Sequence, residues 1–172
     1  MSYNIAGGNG DLERIADVIR AAGADIVAVQ EVDVHWSERS SWADQAAELG
    51  AMLEMNVRFG PIYSLPGERG SRAATSVDTM PSVERDVHPR EFGLAILSRH
   101  PIVEFRNHVI PRLSTQANDV EPRPMTGFLE AVVRVRGVRI HVFNTHLDYR
   151  SDPRVRVAQV AAMLPLLPEQ SL

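Results

Sequence analysis

Cysteine and lysine are both absent from the 172-residue chain. Without cysteine there is no disulfide framework, no thiolate metal site and no cysteine nucleophile. Without lysine all 18 basic side chains are arginine, a bias of coding rather than a mark of function. Long hydrophobic runs are missing as well. The longest, Val160–Leu164, falls far short of the roughly 20 residues a membrane helix needs. No signal-peptide pattern opens the chain, because Tyr3-Asn4-Ile5 already has strand character, so the expected location is the cytoplasm. Positive charge is not in excess either. A formal net charge of −4 argues against a general nucleic-acid coat and still permits a local basic groove.

What remains is ordinary globular composition, 44% hydrophobic and 23% charged, which excludes a disordered chain. The length suits one domain with a real core, and no internal repeat or second domain is visible, so residues 1–172 are read as a single domain.

Hydrophobic spacing lays out the elements. "SYNI" reads as a short strand, followed by "GGNG" and then a helix whose apolar positions are Leu12, Ile15, Ala16, Ile19 and Ala22, with Gly23 as its stop. "DIVAVQE" is a buried strand ending on Glu31. A helix is expected from about Ser41 to Leu53, with Trp42, Ala46, Leu49 and Leu53 on one stripe. Residues 56–63 form a strand. Residues 64–91 lose periodicity and read as a long loop or insertion. Strands follow at 92–98, 102–110, 127–135 and 138–144, the last two joined by a tight turn at Arg136-Gly137. A final helix opens with Asp152 as N-cap and Pro153 in its first position and runs to about Leu164.

Strand, helix, strand with short connections implies a crossover and parallel neighbours, which sets Asn4 beside Glu31 on one sheet edge. A carboxylate with an amide oxygen nearby suits a hard cation such as Mg²⁺, although a solvated strand-end acid and a turn-forming Asn would look the same. The turn Gly8-Asn9-Gly10, with Glu31 about twenty residues on, offers a dinucleotide-binding alternative. Its third glycine would fall at Glu13, and the later chain lacks the strand–helix alternation such a fold requires.

The segment "VRIHVFNTHLDYRSDP" (138–153) ends a strand in polar residues: Asn144, Thr145, His146 and Asp148. Alternation puts Val138, Ile140, Val142 and Asn144 on one face and His141 on the other, so His141 and His146 should not share a metal. His35, His88, His100 and His108 show no ligand spacing. Asp148 reads as a turn residue and Arg99 as half of a surface ion pair.

Taken together, "SYNI", "ADIVAVQEVD", "FGLAILSRHPI" and "FNTHLD" occur in an order that resembles the endonuclease/exonuclease/phosphatase superfamily. The resemblance covers most of the chain. It implies an α/β (α+β) fold, a DNase I-like two-sheet sandwich flanked by helices, and a phosphoesterase dependent on Mg²⁺ (or Mn²⁺). Within it Glu31 resembles the metal-ligating Glu, Asn4 the Asn beside metal and phosphate, and His146 the active-site His of the "THL" motif. The resemblance also implies two later motifs, a "GDxN" type and an "SDH" type that supplies the water-activating Asp–His pair. Only 26 residues follow His146, and none forms either motif. The expectation is therefore an amino-terminal portion of such a domain, incomplete at its carboxyl end. The alternatives are a non-catalytic half-domain or interaction remnant, which could dimerise to cover its exposed face, and a nucleotide-binding module. The substrate is a phosphate ester of unspecified class, and the charge does not point to nucleic acid.

Overall fold

The structure, a computed structural model, describes residues 1–67, 88–114 and 119–168. Four strands form the first sheet: β1 (Ser2–Asn4), β2 (Ile26–Val34), β3 (Asn56–Leu65) and β4 (Arg90–Ser98), in the order β1-β2-β4-β3. Three form the second, an antiparallel meander of β5 (Ile102–Arg112), β6 (Arg123–Val135) and β7 (Val138–Thr145). Helices α1 (Leu12–Ala22) and α2 (Gln45–Leu53) cover the outside of the first sheet, and α3 (Arg154–Met163) packs on β5 of the second. The expected α+β two-sheet sandwich flanked by helices is what is found.

Two apolar layers hold this together. Ile15, Ala16 and Ile19 of α1, with Ala46, Leu49 and Leu53 of α2, bury against Val27, Val29 and Leu97. Between the sheets a smaller cluster joins Ile62, Leu94 and Ile96 to Leu129 and Ala131. Burial of a large aliphatic side chain is worth about 1.5–3 kcal/mol, so both layers contribute strongly. The helix α1 begins where the Asp11 carboxylate accepts the Arg14 N–H and ends at Gly23 in the left-handed conformation. It returns the chain so that β1 lies parallel to β2 with Asn4 opposite Gln30. Arg136 and Gly137 both have positive φ, as a two-residue turn matched to strand twist requires, and set Val135 opposite Val138.

The sheets are also tied by a polar contact. Asn144, 3% exposed on β7, donates to the carbonyls of Val29 and Ala95 (both 2.9 Å) and accepts from Gln30 Nε2 at 2.6 Å. Of the four β7 residues expected to share a face, Val142 and Asn144 meet the first sheet. Val138 (62% exposed) and Ile140 (40%) stay exposed.

Local structure departs from expectation in several places, among them the last helix, which starts at Arg154 with Pro153, not Asp152, in the cap position. The second helix starts at Gln45, not Ser41, because the Asp44 carboxylate caps it by accepting the Ala47 N–H. Ser41 and Trp42 are left-handed, which no α-helix accommodates, and Trp42 is 46% exposed. Strand β2 does not end on Glu31: it continues to Val34 through a bulge. Of the 64–91 interval, Ser64 and Leu65 close β3 and Arg90 and Glu91 open β4, while 68–87 lie outside the described residues.

Candidate functional site

Glu31 is the bulged residue. The β2–β4 register slips between Gln30 and Val32, and Glu31 itself sits at φ 58°. A non-glycine residue held there costs about 1–3 kcal/mol, and such strain concentrates at functional sites. The bulge also has a direct geometric effect. Gln30 and Val32 stay buried on either side while the Glu31 carboxylate turns out to a half-buried position beside the end of β1.

There it meets Asn4, whose Nδ2 donates to Glu31 Oε1 at 2.8 Å. The Asn4 oxygen accepts the Ala6 N–H at 2.9 Å, which fixes the amide orientation. His146 arrives from the other sheet, past the end of β7, with Nε2 3.6 Å from the same Glu31 oxygen. The three site residues expected from sequence are thus brought together from β1, β2 and the β7 exit. Glu31 and His146 line one cleft of about 520 Å³, together with Tyr63, Arg112, Asp148 and Arg150.

The rest of the polar burst after β7 is structural. Asn144 ties the sheets, as described, and the Thr145 hydroxyl donates to the Gly127 carbonyl at 3.1 Å. Asp148 accepts the Arg150 N–H at 3.0 Å, the turn role expected of it. From α3, Gln159 (1% exposed) accepts the Asp148 N–H at 3.0 Å, and Arg156 donates to the carbonyls of Asp148 and Arg150. The third helix therefore fixes the loop that carries His146.

Arg112 and Gln159 are the site-region residues that sequence reasoning missed. Arg112 is only 5% exposed and donates to the carbonyls of His146 (2.8 Å) and Gly127 (2.6 Å). Burial pushes its pKa down to about 10, against the pull of Tyr63 and Asp148. Gly127, at φ 129°, leaves the space in which this guanidinium lies, and a Cβ there would strike it. No spacing in the sequence marks Arg112, because its partners are backbone carbonyls about fifteen and thirty-four residues away.

Other candidates resolve into packing. His108 and His141 hydrogen-bond the two oxygens of Glu130 on the outer face of the second sheet, at 2.8 and 2.9 Å, so His141 is indeed turned away from His146. Arg99 makes an exposed ion pair with Asp25 at 3.9 Å. The cradles at Gly7 and Gly8 are filled by the side chains of Arg39 and Gln45, and Arg39 is held in turn by two bonds to the fully buried Asp33 (2.7 and 2.8 Å). Glycine at 7 and 8 thus admits protein side chains.

A divalent cation can be tested against the donors present. Among the described residues no group of three or more His, Cys, Asp or Glu side chains could hold a metal ion. Glu31 Oε2 accepts no hydrogen bond among them, and a single half-exposed carboxylate fits Mg²⁺, which binds through one or two carboxylates and keeps several waters. A soft or imidazole-rich site is not what these residues make.

Comparison with known proteins assigns the chain to a family. The model of the Endonuclease/Exonuclease/phosphatase family matches residues 1–171, and the chain belongs to that family. Among solved structures it is similar to an endonuclease/exonuclease/phosphatase from Beutenbergia cavernae, with 23% identity, a TM-score of 0.66 and coverage of 97% of this chain and 43% of that one. A mannosyl-6-phosphatase from Bacteroides thetaiotaomicron gives 19% identity and a TM-score of 0.54, covering 99% and 60%. A beta toxin mutant from Staphylococcus aureus with bound magnesium ions gives 19% and 0.55, covering 99% and 59%. The chain thus spans about two fifths to three fifths of the length of these structures. No curated protein matches it.

Proposed function

We propose that the chain carries the metal-side half of a divalent-cation-dependent phosphoesterase centre. The observation that carries this reading is the convergence of Asn4 and His146 on one oxygen of Glu31 at the mouth of the cleft. Glu31 would hold Mg²⁺ or Mn²⁺, and Asn4 fixes its carboxylate through the Nδ2–Oε1 hydrogen bond. A bound cation supplies charge neutralisation at the phosphoryl oxygens as negative charge develops there. His146 presents an imidazole N–H to the same phosphate as hydrogen-bond donor. The magnesium ions in the beta toxin structure support the cation, and the similarity to the Bacteroides mannosyl-6-phosphatase supports the reaction class.

One observation favours a second reading, a half-domain without turnover of its own. Among the described residues no other His or carboxylate pair stands in the cleft to activate water, and Asp148 is held by Arg150. Hydrolysis of a chromogenic phosphodiester by chain of verified intact mass separates the two. Turnover that needs Mg²⁺, stops with EDTA and falls at least about 100-fold in His146→Ala supports the full centre. Metal binding by Glu31 without turnover supports the half-domain, and turnover indifferent to EDTA contradicts the metal centre.

A further inference from the structure

Behind His146 the cleft holds two arginines with donors to spare. Arg112 is almost fully buried, yet among the described residues its Nε has no hydrogen-bond partner and no carboxylate lies within ion-pair distance of its guanidinium. Its hydrogen bonds go to neutral acceptors, the carbonyls of His146 and Gly127 and, at 3.4 Å, the Thr145 hydroxyl. Arg150, on the same cleft, has a buried Nη1 with no hydrogen bond, 3.5 Å from Asp148 Oδ2.

Burying a cation without a paired anion is expensive, several kcal/mol per ion even after relaxation, and a buried N–H left open adds to that. Nothing among the described residues requires it. A neutral donor would hold the His146 and Gly127 carbonyls without that desolvation penalty. Burial lowers the Arg112 pKa to about 10 although Tyr63 and Asp148 raise it, so among the described residues the cost is offset only in part. An anion from outside is what offsets it. Two guanidinium groups with open N–H donors match a phosphoryl group, which offers several acceptor oxygens to a planar fork. Asp148 is the opposing charge nearby. Its carboxylate accepts the Arg150 backbone N–H and faces the Arg150 guanidinium, so it aims that side chain and leaves Arg112 in net excess.

We infer that the cleft between Arg112 and Arg150 is an anion subsite next to the Glu31–His146 centre, taking a second phosphoryl group of the substrate. The inference rests on the proposed phosphoesterase reading for its substrate, but not for its binding site. The favoured substrate class is a small phosphate ester with two phosphoryl groups, one at the metal side and one on the arginines.

The test is calorimetric titration of the 172-residue chain with inorganic phosphate in EDTA, so that no metal site contributes. Wild type and Glu31→Ala should both bind phosphate at one site, the variant no more weakly because it loses a negative charge from the same cleft, and Arg150→Gln should weaken binding about tenfold or more, as loss of a charge-assisted contact implies. Arg112→Lys, which keeps the charge and loses the fork, should weaken it too. Circular dichroism of the native fold checks that this variant is intact, and Arg150→Gln, whose side chain ties no backbone, covers the case in which it is not. A second arm, with Mg²⁺, compares KM for a bisphosphorylated ester and its monophosphorylated analogue. A lower KM for the former, lost in Arg150→Gln, assigns the subsite to substrate, whereas equal KM values overturn that assignment and leave only free phosphate as its ligand. Phosphate binding that is absent, or unchanged in Arg150→Gln, overturns the subsite. If phosphate binds as expected but no variant or metal condition shows turnover, the phosphoesterase reading fails and the subsite stands.

Discussion

Glu31 carries two burdens at once, a left-handed backbone and the carboxylate of the centre, and they can be separated by substitution. Glu31→Ala keeps the strain and loses the carboxylate, while Glu31→Gly loses both. The glycine variant should be more stable than the alanine variant by about 1 kcal/mol, read from urea unfolding midpoints, and neither should bind metal. Equal stability of the two would mean that the bulge stores no strain. Glu130 makes the contrasting case of a carboxylate without a catalytic place. Burial raises its pKa, but hydrogen bonds from His108 and His141, with Arg106 nearby, outweigh that and hold it below 4.5. Because the folded value is depressed, its contribution is present above 4.5 and disappears as pH falls through the folded value. Glu130→Gln should therefore be less stable than wild type at pH 7, with the gap closing in acid. A gap independent of pH would contradict the charge argument.

Strand β7 shows how steeply consequence varies along one element. Asn144 donates to two buried carbonyls and accepts the shortest bond of the Gln30 amide, so Asn144→Ala should cost about 3 kcal/mol and lower the melting temperature by roughly 6–12 °C. Val138→Thr and Ile140→Thr, on the same face but exposed, should change stability by no more than about 0.5 kcal/mol. A small loss at Asn144, or large ones at 138 and 140, would mean that the sheets meet differently. Much of this strand was legible from sequence. Alternation gave its faces, Arg136-Gly137 its turn, and the parity of His141 its separation from His146. The clamp role of Asn144 was not legible, because it depends on backbone carbonyls of β2 and β4, and carbonyl positions leave no trace in residue type. The helix start at Gln45 was hidden for a related reason. Trp42 falls at helical spacing, and only the cap at Asp44 decides that the stripe begins later.

Across the sandwich, the site is a product of where the sheets end. Asn4, Glu31 and His146 lie on three strands or their exits, and none could reach the others without the β1–β2 parallel pairing and the inter-sheet contact that carries β7 to β2. The order of motifs made this convergence legible, since the parallel pairing of β1 with β2 sets Asn4 opposite Gln30, next to the bulge at Glu31. Arg112 and the α3 supports were not, because their contacts are to main chain. The family match covers nearly the whole chain, while the solved structures extend well beyond it, so cation binding tests the account more directly than turnover. The decisive measurement is an Mn²⁺ titration followed by the electron paramagnetic resonance signal of the free ion, on wild type, Glu31→Ala and Arg150→Gln. The account predicts one site in wild type, weakened about tenfold or more in Glu31→Ala and unchanged in Arg150→Gln. Equal affinity in wild type and Glu31→Ala would contradict it.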